Sequence, residues 1–246
     1  LGDRFDIHTG GVDNIFPHHE NERAQSDAFA GHPVVNYWLH SEHLLVEGKK
    51  MSKSHGNFYT LRDLLVKGFA PPAIRYALIS AHYRMPLNFT FEGMTAARNA
   101  LERLYDFQRN VKNAKEALEG VEVGHAIHKS REAFEQEMDD DLNISGALAA
   151  LFDFVREVNR LIISYGLSAK NKEKIFEFLQ KLDSVLGFLQ EPEAAIDDQV
   201  ERLIVQRNLA RGQKDFARSD QIRFELEKMG IVLEDTPQGT KWKKRL

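Results

Sequence analysis

Two lysines that bracket a serine give this sequence its clearest phosphate-binding pattern. Lys50 and Lys53 stand on either side of Ser52, and Gly48 and Gly56 lie just outside them. Lysine ammonium groups act as movable point charges, while serine hydroxyls and backbone N–H groups add neutral donors. Because glycine gives the backbone extra freedom, we predict a flexible loop that closes over a polyphosphate. A solvated Lys/Ser turn is the alternative for this pattern taken alone.

A second group of candidate residues lies upstream, in the histidine-rich stretch that follows Pro17. If a helix begins at Pro17, His18 and Glu22 are four residues apart and share one face. Imidazole nitrogen and carboxylate oxygen are both zinc ligands. Two ligands do not complete a site, and the sequence contains no cysteine. Taken alone, the pair therefore favours a structural or polar role at the helix start.

A Gly-Gly turn precedes these histidines. Gly10 and Gly11 lack a Cβ, so the backbone amides of this turn could approach a ribose or a phosphate closely. Asp13 follows two residues later, although the turn by itself is a weak pattern.

The candidate residues are predicted to lie on loops that follow short strands, where α/β folds bind ligands. We predict strands over 5–8, 34–39 and 44–46, a helix over 17–30, and a short helix from Thr60 to Val66. A break at residues 68–72 precedes a further helix over 73–80.

Long amphipathic helices are predicted after Pro86. One ends at Gly120, a second starts at Asn143 after an acidic run and stops near Gly166, and a third extends to Phe188. Their apolar stripes predict the core of an antiparallel bundle rather than a cofactor site. Residues 191–199 form a polar linker, followed by helices over 200–210 and 215–228 and a hairpin over 231–242.

Composition limits the remaining possibilities. The chain has 246 residues, of which 42% are apolar, and a net charge of −4. No apolar run reaches the roughly 20 residues needed to cross a bilayer, and the absence of cysteine fits a reducing compartment; we expect a cytoplasmic protein that does not bind membranes. Residues 201–246 hold eleven Lys/Arg against seven Asp/Glu. This basic tail is compatible with phosphate contacts and equally with a solvated helical surface.

Taken together, the motifs resemble one family, the cysteinyl-tRNA synthetases, which are class I aminoacyl-tRNA synthetases. The resemblance covers the whole chain in order, and the PHHENE and KMSKS pair is its most specific part. The matching stretches are FDIHTGG at 5–11, PHHENE at 17–22, KMSKSHGN at 50–57, HYRMPLN at 82–88, MDDDLN at 138–143, REVNR at 156–160 and QGTKW at 238–242.

The resemblance implies a mostly α fold in three parts. Residues 1–70 would be the tail of an α/β, Rossmann-like catalytic domain that carries the KMSKS loop. Residues 71–190 would be a tRNA-binding helical bundle of the DALR type, and residues 191–246 a small helix and hairpin module that recognises the anticodon. The chain begins at Leu1 rather than Met, and we expect it to be a fragment of a longer protein.

The resemblance also implies an activity in protein biosynthesis. Such enzymes activate L-cysteine with ATP and Mg²⁺ and transfer it to tRNA(Cys), commonly as monomers. Their zinc ion is held by two cysteines, one histidine and one glutamate and binds the substrate thiolate. Carried onto this chain, the histidine and the glutamate are His18 and Glu22, which reverses the structural interpretation of that pair.

Further roles carry over from the family's motifs. Lys53 would contact ATP and stabilise the pyrophosphate during catalysis, and Lys50 would support it. The remaining predicted contacts are Ser52, Gly11 and Asp13 for ATP, and His8 and Gly10 for the cysteine and adenylate. The upstream HIGH-type motif and both zinc cysteines are absent from this sequence, so we expect no cysteinyl-adenylate from the isolated chain.

Two alternatives remain open. A ligase that joins cysteine to an amino sugar in thiol biosynthesis shares the zinc site and the KMSKS loop, but has less use for a basic C-terminal module. A non-catalytic tRNA-binding helical module is the second alternative. Within the tail, residues suited to phosphate binding or base stacking are Arg211, Arg218, Arg223 and Trp242, and ordinary helix-surface roles are as compatible with each.

Overall fold

The computed structural model describes residues 2–52, 54, 56–117, 122–191, 198–213, 215–236 and 239–244. The chain divides into two compact units, Leu1–Leu189 and Gln190–Leu246. The described elements, in chain order, are β1 (Phe5–Gly11), α1 (Glu20–Ala30), β2 (Val35–Ser41), β3 (Leu44–Val46), β4 (Lys49–Lys50), α2 (Leu61–Val66), α3 (Pro71–Ile79), β5 (Leu87–Phe89), α4 (Phe91–Asn113), α5 (Gly124–Asp139), α6 (Ile144–Tyr165), α7 (Ala169–Leu186), α8 (Asp198–Gly212), α9 (Phe216–Lys228), β6 (Ile231–Thr236) and β7 (Gly239–Lys244).

The first unit begins with a parallel pair of strands. β1 pairs with β2 in the register His8 to Trp38 and Gly10 to His40, and α1 connects the two strands. A parallel pair requires such a crossover, because its strands run in the same direction. Apolar side chains nevertheless stay exposed on this pair, including Ile7 at 57% and Tyr37 at 67%.

Helical backbone angles begin at Pro17, as predicted, although the regular α-helix starts three residues later. α1 begins at Glu20, and a π-helical turn over Ile15–His19 precedes it. The Phe16–Pro17 peptide is cis, and Phe16 has extended backbone angles (φ −132°, ψ 132°). A residue before proline is disfavoured in helical geometry, so the helix does not pass through this dipeptide.

A small second sheet carries the lysine-rich loop. β3 pairs antiparallel with β4 and parallel with β5. α2 then begins at a capping box in which the Thr60 hydroxyl accepts from Asp63 N, and the Asp63 carboxylate accepts from Thr60 N. This arrangement satisfies two backbone N–H groups that a helix start leaves without partners, and it confirms the predicted short helix.

Helices α4 to α7 form the bundle, and their buried faces make the main core of this unit. The start of α6 at Asn143 is confirmed, because its side chain accepts from Gly146 N. α4 ends at Asn113, earlier than predicted, and Gly120 lies outside the described residues. α5 was not predicted at all, because its buried face includes the small residues Ala126 and Ser130.

A polar cluster ties the segment after α3 to the α5–α6 turn. The Tyr83 hydroxyl donates to Asp141 Oδ1 over 2.6 Å, and the Arg84 guanidinium binds the same carboxylate through two nitrogens. These hydrogen bonds, led by the one from Arg84, lower the pKa of Asp141 to about 2. Asp141 itself sits at a positive φ of 54°.

The second unit packs two helices against a hairpin. β6 and β7 are antiparallel, and the core between them and α8 and α9 consists of Val200, Ile204, Ile222, Leu226, Ile231 and Leu233. The predicted helices and hairpin are confirmed.

The chain is mostly helical, as predicted. Within the part of the chain that the structure describes, no helix has both the length and the apolar character needed to span a membrane. The three-part boundaries at residues 70 and 190 stay a prediction.

Candidate active site

Histidines from three elements meet at the carboxyl end of the β1–β2 pair. His8 lies on β1, His18 and His19 on the turn before α1, and His40 on β2 opposite Gly10. The turn folds back over β1, so side chains far apart in sequence converge with Glu22 of α1. We call these five residues, His8, His18, His19, Glu22 and His40, the histidine cluster.

Glu22 is the carboxylate of the histidine cluster. Its Oε2 lies 3.6 Å from His8 Nε2 and 3.9 Å from His18 Nε2. The ligand atoms of His8, His19 and Glu22 all lie within 4.8 Å of one another. The structure thus brings the predicted metal residues His18 and Glu22 together and adds two further imidazoles beside them.

His19 is the buried member of the cluster, with 6% of its surface exposed. Its Nδ1 lies 2.8 Å from His40 Nε2, and its ring packs 5.1 Å from that of Trp38. Burial lowers the pKa of His19, and repulsion from His8 and His40 lowers it further. The lowered pKa favours the uncharged imidazole, which is the form that binds metals.

Position 10 requires glycine, because its backbone lies too close to the His19 ring to leave room for a side chain. A Cβ built on Gly10 would lie 2.5 Å from His19 Cε1 and 3.2 Å from Asn14 Nδ2. At Gly11 a Cβ would lie 2.5 Å from Asp13 Oδ1. Asp13 is an exposed side chain and can turn away, so the constraint is stronger at Gly10.

The lysine-rich loop forms a separate group on the β3–β4 hairpin. Lys50 ends β4 with its side chain exposed, and Ser52 Oγ lies 3.1 Å from Ser54 Oγ. The side-chain amide of Asn57 bonds to the backbone of Lys50 and Ser52, at the start of this stretch. Lys53, the predicted ATP contact, lies outside the described residues.

A cavity of about 650 Å³ opens beside the ends of β1 and β2. Thr9, Gly10 and Ser41 line one side, and His82 and Tyr83 line another. Among the described residues predicted for substrate, ATP or metal, Gly10 alone belongs to this lining. The other predicted residues, among them His8 and Asp13, lie elsewhere.

Comparison with known proteins assigns the chain from end to end. Residues 1–99 match the class I (C) tRNA synthetase catalytic domain, residues 133–190 the DALR domain, and residues 193–242 the cysteinyl-tRNA ligase anticodon binding domain. The protein named cysteine–tRNA ligase from Protochlamydia amoebophila is 45% identical over an alignment of 247 positions that covers 100% of this chain and 52% of that protein. The one from Chlamydia muridarum is 47% identical over 254 residues, covering 99% and 54%. The chain belongs to the cysteine–tRNA ligase family. It spans about half the length of these relatives.

A solved structure gives the same fold at greater distance. A LeuRS from Agrobacterium radiobacter K84, crystallised as a ternary complex with tRNA and LeuAMS, superposes with a TM-score of 0.59 over 75% of this chain and 26% of its own, at 18% identity. That identity supports the fold alone.

In this member of the cysteine–tRNA ligase family, the second unit presents both basic and aromatic side chains. Arg211, Arg218 and Arg223 are exposed, and Arg218 donates to Gln221 Oε1 over 3.0 Å. Trp242 instead packs against the core of the unit. Its ring therefore has a structural role. Phe216 and Phe224 are 62% and 57% exposed.

Several residues near these sites carry only a weak signal in the sequence. His19 and His40 were not predicted, although the adjacent histidines at 18 and 19 offered two potential metal ligands side by side. Phe216 and Phe224 were also missed; aromatic residues on an otherwise polar helix surface were the available signal.

Proposed function

We propose that this chain supplies part of a ligase that activates L-cysteine with ATP and transfers it to tRNA(Cys). The observation that carries the proposal is the identity of 45% and 47% to two proteins named cysteine–tRNA ligase, over essentially the whole of this chain. The match of residues 193–242 to an anticodon binding domain favours a tRNA substrate over an amino sugar.

Zinc is the cofactor we propose for the histidine cluster, with His18 and Glu22 as ligands. Tetrahedral ligands at 2.0–2.1 Å from zinc lie about 3.4 Å apart, and His18 Nε2 and Glu22 Oε2 are 3.9 Å apart. The pair therefore fits half of a tetrahedral site with a small adjustment. When bound, zinc would supply a soft acceptor for a thiolate, which a serine hydroxyl does not match.

The surrounding residues would hold the substrate. We assign His8 and Gly10 to the cysteine and adenylate, because His8 Nε2 lies 3.6 Å from the Glu22 carboxylate and Gly10 borders the cavity. Gly11 and Asp13 would face the ribose of ATP.

The loop at residues 50–57 would bind the phosphates of Mg²⁺–ATP. We assign Lys53 and Lys50 to the negative charge that develops on pyrophosphate as the cysteine carboxylate attacks the α-phosphate, with Ser52 as a neutral donor. Electrostatic stabilisation of this kind is the main catalytic contribution in phosphoryl chemistry, which needs no enzyme nucleophile.

The helical parts would bind tRNA. We propose residues 1–70 as the catalytic part, 71–190 as a tRNA-binding bundle and 191–246 as the anticodon module, in a cytoplasmic monomer. A salt titration of tRNA(Cys) binding, with and without residues 191–246, tests this assignment. Equal affinity of both forms would refute the anticodon role.

Activity can be tested by joining this chain to the part of the Protochlamydia protein that it does not cover. We expect cysteine-dependent ATP–pyrophosphate exchange and about one zinc per chain. His18→Ala and Glu22→Ala should abolish both. The matched control is His128→Ala, because His128 Nδ1 and Glu132 Oε2 form an exposed i,i+4 pair on α5 at 3.1 Å. Exchange that runs equally well with serine, or a chimera with zinc but no exchange, would refute the proposal.

A further inference from the structure

The side-chain amide of Asn57 bonds to the lysine-rich loop and to the strand beneath it. Its Oδ1 accepts from Ser52 N over 2.9 Å. Its Nδ2 donates to the carbonyl oxygens of Lys50 over 3.2 Å and, more weakly, Val46 over 3.5 Å. A primary amide has two N–H donors, so both are engaged, and residue 57 is joined to the start of the loop.

The hairpin beneath the loop is a fixed base. Val46 is buried, and the turn that follows it has positive φ at Glu47 (50°) and Gly48 (74°). Glu47 N donates to Phe89 O over 3.0 Å, and Gly48 N donates to Asn88 Oδ1 over 2.8 Å. The Val46 carbonyl that Asn57 reaches is therefore anchored on β5.

We propose that Asn57 is a positioning residue that sets the resting shape of the Lys50–Ser52 half of the loop before a polyphosphate binds. This inference rests on the proposed ATP-binding role of the loop. Ordering a flexible segment costs conformational entropy, and a segment ordered in advance loses less on binding. Asn57 orders the Lys50 carbonyl and the Ser52 amide without occupying the lysine side chain, which stays exposed.

Asn57→Asp is the sharpest perturbation, because it keeps an acceptor for Ser52 N and removes both N–H donors. Amide hydrogen exchange over residues 50–57 of the full chain should then accelerate about tenfold, the effect of one to two lost hydrogen bonds. Asn57→Ala, which loses all three contacts, should accelerate it at least as much. Exchange in α4 reports whether each variant is folded.

Asn36→Ala is the matched control. Asn36 is an exposed asparagine whose amide also bonds on both sides, accepting from Arg4 Nε over 2.7 Å and donating to Asp6 Oδ1 over 3.2 Å. It lies on β2, so exchange over residues 50–57 should stay at the wild-type rate. Wild-type exchange in both Asn57 variants, with α4 intact, would overturn the positioning role.

Titration with Mg²⁺–ATP of the Protochlamydia chimera, with and without Asn57→Asp, separates this inference from the proposed function, because the chimera restores the part of the site that this chain lacks. We expect ATP to slow exchange over residues 50–57 in the wild type, and to do so in Asn57→Asp only at about tenfold higher concentration. Equal ATP dependence in both proteins would overturn the positioning role and leave ATP binding intact. If ATP does not slow exchange in the wild type while Asn57→Asp still accelerates it, the ATP-binding role of the loop is refuted. The role of Asn57 in ordering the loop would then stand.

Discussion

Gly10→Ala should destabilise the first unit, because the added methyl group would clash with the packed ring of His19. The added Cβ would lie 2.5 Å from His19 Cε1 and 3.1 Å from His19 Nε2, whereas carbon atoms in good contact are about 3.5–4.0 Å apart. His19 cannot turn away, because it is buried, lies 2.8 Å from His40 Nε2 through its Nδ1, and packs on Trp38. The backbone of β1 or the whole ring must move instead.

The expected cost follows from overpacking. Inserting a methyl group into a filled site costs about 1–3 kcal/mol. For a unit of this size each kcal/mol lowers the melting temperature by roughly 2–4 °C, so a cost near 2 kcal/mol predicts a fall of about 4–8 °C. The movement should also break the contact between His19 and His40.

Thermal unfolding followed by circular dichroism measures this effect. Gly124→Ala is the matched control in the same unit, since its Cβ would lie 3.5 Å from Glu122 Oε2, an ordinary contact. Its melting temperature should stay close to the wild-type value. In a His19→Ala background, Gly10→Ala should cost much less, because the clashing ring is gone. If Gly10→Ala has the same melting temperature as the wild type, the packing described for His19 is refuted.

Three further changes have definite expected outcomes. Asp141→Asn should destabilise the protein above about pH 4. Because hydrogen bonds from Arg84 lower the pKa of Asp141 to about 2, the loss of unfolding free energy, measured by urea titration, should shrink as the pH falls toward that value. A loss that stays constant with pH would contradict this. Thr60→Ala should cost about 1 kcal/mol through loss of the cap to Asp63 N, seen as faster hydrogen exchange in α2, and unchanged exchange would count against the capping box. Arg223→Gln should reduce the salt slope of tRNA binding by about one, and an unchanged slope would remove this residue from the interface.

Local signals in the sequence predicted the elements whose ends or faces are set by neighbouring residues. Thr60 and Asn143 are caps whose partners lie three residues away, and the i,i+4 spacing of His18 and Glu22 placed them together. α5 was not predicted because two of its three buried residues, Ala126 and Ser130, are small and give little hydrophobic contrast.

Long-range contacts could not be predicted in the same way. His19 and His40 are 21 residues apart, and they meet because the β1–β2 register sets Gly10 opposite His40. No local pattern encodes that register. The role of Asn57 was hidden for the same reason, since Val46 lies 11 residues before it.

The exposed apolar side chains on the β1–β2 pair bear on how this protein can be prepared. Ile7 and Tyr37 face solvent there, and Phe16 on the adjoining turn is 79% exposed. Apolar surface beside a short open sheet favours contact between molecules, and a net charge of −4 gives modest electrostatic repulsion against it. Colloidal stability, rather than folding free energy, will then set the concentration at which the isolated chain can be studied.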